Sequence, residues 1–259
     1  MGGNWMKKIA LMLLMVVGLS GTALAGDKFS LDVGVDYSSR YIWRGMDLIS
    51  DDNAAVQPWV DAGFSITDKL AVHGLVWADY RLIDGDYGSD LDSDNDWDEF
   101  DYVGYLTYDF SEVVSFELGY IYYYLPDGAW DGGVKENQEF YGGVSLALND
   151  YFSTSIYAYY NFDSDYADGI YAKWSIDGAT ALNEHVELFG SVGFAYMDYT
   201  DGVNGASDLP VTVGLSFDLG HSLAMYVSAN YCVTFDGIRD NDLNDENEAW
   251  LMSGLSFSM

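Results

Sequence analysis

The sequence predicts an all-β fold, a transmembrane β-barrel of twelve antiparallel strands that run up and down the barrel wall. Three observations predict it: apolar and polar residues alternate with a period of two, long and short connections alternate, and the composition suits strands. The 259 residues include 22 Tyr, 13 Phe, 8 Trp and 28 Gly but only 3 Pro. Aromatic residues are enriched in strands, whereas proline interrupts their hydrogen-bond ladders.

The alternation recurs along most of the chain. Residues 211–217 show it clearly, because the odd positions are Val, Val, Leu and Phe and the even positions are Thr, Gly and Ser. The sequence contains twelve such runs: 29–37, 54–66, 70–82, 99–110, 114–125, 138–148, 152–162, 169–182, 186–197, 209–219, 223–235 and 249–259. Most exceed the roughly 9–11 residues that a tilted strand needs to cross a bilayer.

The connections predict how the strands are joined. Five are short, at 67–69, 111–113, 149–151, 183–185 and 220–222, and six are long and polar, at 38–53, 83–98, 126–137, 163–168, 198–208 and 236–248. Long and short connections alternate strictly, as expected for an up-and-down barrel with both chain termini on one side of the membrane. Outer-membrane barrels show this pattern, with short turns in the periplasm and longer loops outside.

A soluble lipocalin-like barrel also alternates, but its polar face meets water and carries long charged side chains of both signs. Here the polar face is mainly Gly, Ser, Asn, Asp and Tyr, which fit a crowded lumen. The apolar face places aromatic residues near both strand ends, such as Tyr102 and Tyr122 above and Phe110 and Phe116 below. Two aromatic belts around an apolar band are typical of barrels in lipid.

The first 25 residues have the features of a secretory signal peptide. Lys7 and Lys8 precede an apolar run at 9–19, and Ala23 and Ala25 supply a small-x-small cleavage site. We therefore predict a signal peptide at 1–25 and an outer-membrane barrel at 26–259. The destination is the outer membrane of a Gram-negative-type bacterium, with outer-membrane lipid, lipopolysaccharide and the barrel-assembly machinery as partners. We expect a monomer.

The chain is strongly acidic, with 42 Asp and Glu, 10 Lys and Arg and a formal net charge of -32. Such a chain repels phosphate backbones, so nucleic-acid binding is excluded. The six long connections hold 25 of the acidic residues and only four basic ones, which are Arg40, Arg44, Lys135 and Arg239. The predicted outer loops therefore form a strongly negative surface.

The first long connection carries a distinctive segment. Residues 39–45 are Ser-Arg-Tyr-Ile-Trp-Arg-Gly, and residues 55–58 are Ala-Val-Gln-Pro. This pattern resembles a family of uncharacterised exported bacterial proteins, whose mature chains open with a strand, a Tyr-x-(Trp/Phe)-Arg-Gly segment and a second strand. The resemblance is specific over residues 30–64, and it implies an exported barrel but no particular chemistry. More loosely, the strand number is similar to that of twelve-stranded barrels that include small-solute channels and an outer-membrane phospholipase.

The phase of the alternation predicts which ionisable residues face the lumen. The predicted pore-lining set is Asp61, His73, Asp79, Arg81, Asp101, Asp109, Glu117, Lys173 and Glu187. Carboxylates this numerous must be hydrated or paired, because an unpaired buried charge is very costly. A hydrated lumen has a negative potential that favours cations. The alternative is a lumen plugged by its own Tyr, Trp and Arg side chains, and the sequence leaves both open.

Arg40 and Arg44 are positive exceptions among the acidic outer loops. One interpretation folds them inward, where they pair with lumen carboxylates and constrict the pore, and Gly45 permits the sharp bend that this requires. The other places them at the rim, because arginine also suits contacts with headgroup or lipopolysaccharide phosphates. We favour the inward fold, which makes Arg40 and Arg44 the constriction candidates.

The second long connection contains regularly spaced carboxylates, namely Asp90, Asp92, Asp94, Asp96 and Asp98. Carboxylate oxygens at this spacing suit a hard cation, so these residues form a candidate calcium site. An EF-hand loop that begins at Asp90 needs glycine at its sixth position and glutamate at its twelfth, where this chain has Asn95 and Asp101. The alternative is a solvated acidic loop. No other cofactor is predicted.

The sequence predicts no enzyme. The three histidines are accompanied by no serine motif, no zinc-ligand spacing and no phosphate-binding glycine loop. Two functions fit the predicted barrel. One is a narrow, porin-like channel for passive diffusion of small neutral or cationic solutes. The other is a non-conducting surface protein whose acidic outer loops bind divalent cations, lipopolysaccharide or a partner.

Overall fold

The computed structural model describes residues 28–48, 53–82, 97–129, 134–162, 168–200, 203–239 and 246–259. Across these ranges the chain forms a closed barrel of twelve antiparallel strands. Each wall strand pairs with its neighbours in chain order, and the last strand pairs with the first. The predicted all-β, twelve-stranded, up-and-down barrel is therefore confirmed. The predicted signal peptide lies outside the described residues.

The wall strands are β1 (Phe29–Ser38), β4 (Ala54–Ser65), β5 (Leu70–Leu82), β6 (Trp97–Asp109), β7 (Val114–Ala129), β8 (Val134–Ala147), β9 (Phe152–Asn161), β10 (Gly169–Ala181), β11 (Val186–Tyr199), β13 (Asp208–Gly220), β14 (Leu223–Thr234) and β15 (Glu248–Ser258). The described parts of the connections add β2 (Ile42–Trp43), β3 (Met46–Asp47), β12 (Asn204–Ala206) and the helical turn α1 (Asp236–Arg239). Within the described ranges, no helix has the length and apolar character needed to cross a membrane.

Most strand ends lie within two residues of the predicted ones. The exceptions are β7 and β8, which extend into the connection predicted at 126–137. After a register shift beyond Tyr124, Ala129 of β7 pairs with Val134 of β8. Glu136 and Asn137 place polar side chains on both faces of β8. The period-two signal is therefore lost where the strand continues.

The two faces of the wall differ as the alternation predicts. In β5, Val72 and Val76 point outward with 39% and 40% of their surface exposed, whereas His73 and Trp77 lie on the inner face. Large apolar side chains are exposed around the outside of the barrel, among them Leu106, Leu118, Ile156, Val192, Val213 and Leu255. Such an extensive apolar surface is unusual on a soluble protein, and it suits the lipid surroundings of a membrane barrel.

Four of the five short turns are stabilised by the same kind of side-chain hydrogen bond. Thr67, Ser111 and Asn149 each accept hydrogen bonds through a side-chain oxygen from the backbone N–H groups two and three residues further along the chain. Asn183 accepts a bond of the same kind from the residue two positions on. These side chains satisfy backbone donors where the ladder ends and the chain reverses. The turn at 220–222 instead uses three consecutive positive φ angles.

The closed barrel makes a prediction for denaturing gels. Because closure leaves no strand edge and satisfies the backbone groups between strands, the folded protein should resist SDS at room temperature. Unheated and boiled samples should therefore migrate to different positions on an SDS gel, and circular dichroism of the unheated sample should be dominated by strand. One unchanged band position together with a helical spectrum would contradict the barrel.

Candidate functional site

The described part of the first outer loop folds as a short hairpin. Strand β2 pairs with β3, and the backbone N–H of Leu48 donates to the carbonyl of Tyr41 at 2.9 Å. Between the two strands, Arg44 and Gly45 have φ angles of 51° and 81°. Two consecutive positive φ angles are typical of a type I′ turn, whose twist suits a two-residue hairpin. We call residues 40–48 the inner hairpin.

Close packing around position 45 requires glycine, as does the positive φ angle of its backbone. A Cβ atom added to Gly45 would lie 2.8 Å from Ile238 Cδ1 and 2.9 Å from Asp208 Cβ. Both distances are shorter than the favourable separation between carbon atoms, about 3.5–4.0 Å. The tip of the inner hairpin therefore packs directly against α1 and β13, with no room for a larger residue.

Arg44, at the tip of the inner hairpin, forms a buried ion pair with Glu139 of β8. Its Nη1 and Nη2 atoms donate to separate carboxylate oxygens of Glu139, each at 2.7 Å. The Arg44 side chain is 7% exposed and that of Glu139 is 0% exposed. Tyr123 donates to Glu139 Oε2 at 2.8 Å, and Arg44 Nη1 also donates to the Tyr199 hydroxyl at 3.2 Å. Bidentate arginine–carboxylate pairs with such additional hydrogen bonds are the strong class of ion pair.

Three aromatic rings surround the same guanidinium. The Cζ atom of Arg44 lies 4.2 Å from the ring centroid of Trp43, 4.4 Å from that of Tyr171 and 4.8 Å from that of Tyr159. All three distances fall inside the limit of about 6 Å for cation–π attraction. Trp43 belongs to the inner hairpin, but the other partners belong to the wall. We call the wall partners of Arg44, which are Tyr123, Glu139, Tyr159, Tyr171 and Tyr199, the arginine cage.

The surroundings also fix the charge states at the inner hairpin. Burial is the largest single effect on Arg44 and lowers its pKa, but the interactions with Glu139, Tyr123 and Tyr199 together outweigh burial, so the pKa of Arg44 is raised above its ordinary value. Burial raises the pKa of Tyr41, and the negative charge of Glu99 raises it further. Arg44 therefore stays charged and Tyr41 stays a neutral donor across the physiological pH range.

Tyr41 and Arg40 attach the base of the inner hairpin to two other parts of the wall. Tyr41 donates to Glu99 Oε2 at 2.9 Å and packs against Trp77, with ring centroids 5.6 Å apart. Arg40 forms an ion pair with Glu248. The first contact involves β5 and β6, and the second involves β15.

The contacts of the inner hairpin run around the bore. Strand by strand, its partners are Trp77 in β5, Glu99 in β6, Tyr123 in β7, Glu139 in β8, Tyr159 in β9, Tyr171 in β10, Tyr199 in β11, Asp208 in β13, Thr234 in β14 and Glu248 in β15. The hairpin itself lies between β1 and β4 in the chain, and these two strands pair with each other. It therefore crosses the upper lumen rather than lining one side of it.

Tyrosines hold two of the predicted pore-lining carboxylates lower in the lumen. Asp61 accepts a hydrogen bond from Tyr105, and its Oδ1 lies 3.3 Å from His73 Nδ1. The rings of His73 and Tyr105 stack with centroids 4.5 Å apart. Glu117 accepts a hydrogen bond from Tyr141 at 2.7 Å. Of the predicted set, the structure thus brings Asp61 and His73 into direct contact.

Asp79, Arg81 and Asp101 lie toward the outer-loop end. Asp79 is fully buried and accepts a hydrogen bond from Gln57 at 2.8 Å. Arg81 donates through Nε to Asp98 Oδ2 at 2.8 Å. The Oδ1 atom of Asp101 is buried and accepts no hydrogen bond from the part of the chain that the structure describes.

The remaining predicted pore-lining residues lie apart from these. Asp109 and Glu187 are exposed near the short-turn ends of β6 and β11. Lys173 lies beside Gly193 on the neighbouring strand, where an added Cβ would be 2.8 Å from its Cε. The structure thus distributes the predicted set along the bore rather than gathering it into one cluster.

Several lumen carboxylates are held by neutral donors. Asp36 accepts from Trp59 Nε1 at 3.0 Å and Asp177 accepts from the Ser175 hydroxyl at 2.9 Å, and the tyrosine- and glutamine-bound carboxylates described above follow the same rule. Hydrogen bonds of this kind fix a carboxylate and favour its charged form, but they add no positive charge. The three arginines of the upper lumen, by contrast, are each paired with a carboxylate. Among the described residues, the carboxylates held by neutral donors, such as Asp61 and Glu117, are therefore not neutralised by an arginine.

The candidate calcium ligands fall mostly outside the described residues. Asp90, Asp92, Asp94 and Asp96 lie there, whereas Asp98 is described and is paired with Arg81. In the ranges that the structure does describe, no group of three or more His, Cys, Asp or Glu side chains is arranged to hold a metal ion. The calcium site stays a prediction.

Glu139 and three further buried carboxylates of the inner face are missing from the predicted pore-lining set. Asp208 and Glu248 belong to the predicted outer loops and Glu99 is not among the predicted pore-lining residues, yet all three side chains are buried. Glu99 lies two residues before Asp101, so it shares the inward phase of that residue. Asp208 and Glu248 each lie one residue before a predicted strand, so extending the alternation by one step identifies them, whereas Glu99 is the first residue of the predicted strand 99–110.

A scan against protein-family models and a search of curated proteins gave no match. Among solved structures, the barrel is similar to a KdgM porin, with 12% identity, 89% of this chain and 99% of that chain covered, and a TM-score of 0.51. It is also similar to the NanC porin, with 10% identity, 88% and 98% coverage and a TM-score of 0.51. A KdgM porin in complex with disordered oligogalacturonate gives 12% identity, 89% and 99% coverage and a TM-score of 0.50. The shared fold confirms the predicted localisation: the protein is an outer-membrane β-barrel.

Replacing Gly45 by alanine should destabilise the folded protein, because alanine strains the positive φ and its methyl group overlaps Ile238 and Asp208. Gly220→Ala is the matched control, since Gly220 has a similar φ of 77° but no atom lies within 4 Å of an added Cβ. We expect Gly45→Ala to lower the free energy of unfolding by about 1–3 kcal/mol more than the control does, as in other overpacked sites. Urea unfolding in detergent measures the difference, and equal losses would show that the hairpin tip is not closely packed.

Removing one member of the Arg44–Glu139 pair should lower the free energy of unfolding nearly as much as removing both members. Arg44→Met leaves a buried carboxylate unpaired and Glu139→Gln leaves a buried guanidinium unpaired, so each should lower the free energy of unfolding by about 3–5 kcal/mol. The double variant should lose less than the sum, because no uncompensated charge remains. Urea unfolding of the three variants gives the coupling, and strictly additive losses would contradict a direct pair.

Proposed function

We propose that this protein is an outer-membrane channel for the passive diffusion of small neutral or cationic solutes, with a bore that the inner hairpin narrows. The barrel supplies the path across the membrane. The observation that carries the proposal is the excess of lumen carboxylates that are held by neutral donors.

The lumen charge supports a preference for cations. Asp36, Asp61 and Glu117 bind tryptophan, tyrosine and histidine partners rather than arginine or lysine. A low-dielectric wall concentrates the field of such charges along the bore, which raises the local concentration of cations and lowers that of anions. The passage of neutral solutes is limited only by the width of the bore.

Similarity to porins supports a diffusion channel, but the charge of this lumen argues for a different solute class. One similar structure is a KdgM porin in complex with disordered oligogalacturonate, a chain of carboxylate-bearing sugars. Like charges repel strongly at the short distances inside a narrow bore. We therefore propose that this channel excludes acidic oligosaccharides of that kind.

One observation favours a second function. The inner hairpin contacts every wall strand from β5 to β15, an arrangement that also suits a plugged barrel. A non-conducting surface protein, whose acidic outer loops bind divalent cations, lipopolysaccharide or a partner, is therefore the alternative. A channel should conduct ions, and removing Arg44 should raise its conductance. A non-conducting surface protein should conduct neither in its unaltered form nor after Arg44 is removed.

Recordings in planar bilayers test the selectivity. A potassium chloride gradient should give a reversal potential of cation-selective sign, and the bias should weaken at high salt because the Debye length falls to about 3 Å at 1 M. The double variant Asp61→Asn, Glu117→Gln should reduce selectivity more than conductance, since it removes charge but little volume. Glu184→Gln is the matched control, because this 85% exposed side chain lies in a short turn outside the lumen.

Anion selectivity of the unaltered protein, or an equal loss of selectivity in the Glu184→Gln control, would contradict the proposed role of the lumen charge. Arg44→Ala should raise the conductance, because it removes the side chain that anchors the hairpin tip. If neither the unaltered protein nor Arg44→Ala conducts when correctly folded, the surface-binding function is favoured instead.

A further inference from the structure

The groups that hold the Arg44 guanidinium belong almost entirely to the barrel wall. The arginine cage takes one residue from each of five consecutive strands, β7 to β11. Arg44 enters the cage from a loop that joins two other strands, β1 and β4. The cage is therefore an arrangement of wall side chains that a loop residue fills.

The cage has the chemistry of a guanidinium site. Glu139 accepts two parallel hydrogen bonds at 2.7 Å, and the rings of Tyr159 and Tyr171 lie 4.8 and 4.4 Å from the guanidinium carbon. A planar fork of donors is needed to use both carboxylate oxygens at once, and a flat, weakly hydrated cation stacks well on aromatic rings. An ammonium group has the charge but neither the fork nor the plane.

Glu139 has a second partner that does not belong to the inner hairpin. Its side chain is fully buried, and the hydroxyl of Tyr123 donates to its Oε2 at 2.8 Å. A carboxylate that is buried in this way without a cation is strongly unfavourable. An empty cage therefore favours the entry of another cation with matching geometry.

We propose that the arginine cage is a binding site for solutes that carry a guanidinium group, and that Arg44 occupies this site as an internal competitor when no solute is present. A solute that replaces Arg44 releases the tip of the inner hairpin and widens the bore. As a transport site the cage rests on the proposed channel function, whereas binding itself is measurable without conduction.

Chemical rescue of Arg44→Ala tests the binding site directly. This variant keeps the cage but removes the guanidinium that fills it. Millimolar methylguanidinium chloride should raise the midpoint of thermal unfolding of the folded variant in detergent, and should raise that of the unaltered protein less, because Arg44 competes. Methylammonium chloride at the same concentration is the matched probe, since it carries the same charge without the planar fork. Arg44→Gln provides a second variant if Arg44→Ala does not fold.

Glu139 should determine the preference of the cage for a guanidinium group over an ammonium group. Binding of methylguanidinium to Arg44→Ala, Glu139→Gln should be about tenfold or more weaker than to Arg44→Ala, because the bidentate, charge-assisted hydrogen bonds are lost. Equal shifts with both probes, or an unchanged affinity without Glu139, would overturn the proposal. If methylguanidinium rescues the variant selectively but the protein does not conduct, the guanidinium site is supported and the channel function is contradicted. If the protein conducts but methylguanidinium does not rescue the variant, the channel function is supported and the guanidinium site is contradicted.

Discussion

Closure of the backbone hydrogen-bond network is the constraint on which the rest of the structure depends. Lipid offers no hydrogen-bonding partner, so every strand inside the membrane needs a paired neighbour on each side. The pairing of β15 with β1, in a register that places Val35 opposite Leu255, completes the ring. Because successive residues of a strand point to opposite faces, the closed ring then decides which side chains meet lipid and which enter the lumen.

Closure explains why the lumen is rich in both carboxylates and aromatic rings. The outer face meets lipid, so ionisable residues of the strands have only the inner face available. Each carboxylate there needs donors, and the hydroxyl of Tyr105 or Tyr141 supplies one while its ring fills part of the bore. The same side chain therefore reduces the open volume and fixes a negative charge. Tyrosine therefore accounts for both features of the inner face, the aromatic filling and the fixed carboxylates.

The fold was predictable from the sequence because its signals are local, whereas the contacts of the site are not. Alternation and turn length involve neighbouring residues, and they fail only where polar residues occupy both faces, as in the extended ends of β7 and β8. The phase of the alternation predicts whether a side chain points toward lipid or toward the lumen, but it does not predict which side chain it contacts across the bore. Arg44 and Glu139 are 95 residues apart, and the sequence offers many lumen carboxylates as equal partners for an inward arginine. The packing of Gly45 against α1 was also beyond prediction, because four residues form too short a helix to leave a periodic signal.

The two arginines of the inner hairpin show how burial changes what an ion pair does. Arg40 pairs with Glu248 while 27% of its side chain stays exposed, so water competes for its charge and weakens the pair. Arg44 is 7% exposed and is covered by aromatic rings, so its pair is little screened and is strongly unfavourable to break without a replacement. Met46 adds an apolar contact to the buried cluster around Ile238, which supports the tip from a second side. The hairpin is thus held firmly while Arg44 fills the cage, and a solute cation that took the place of Arg44 would release its tip.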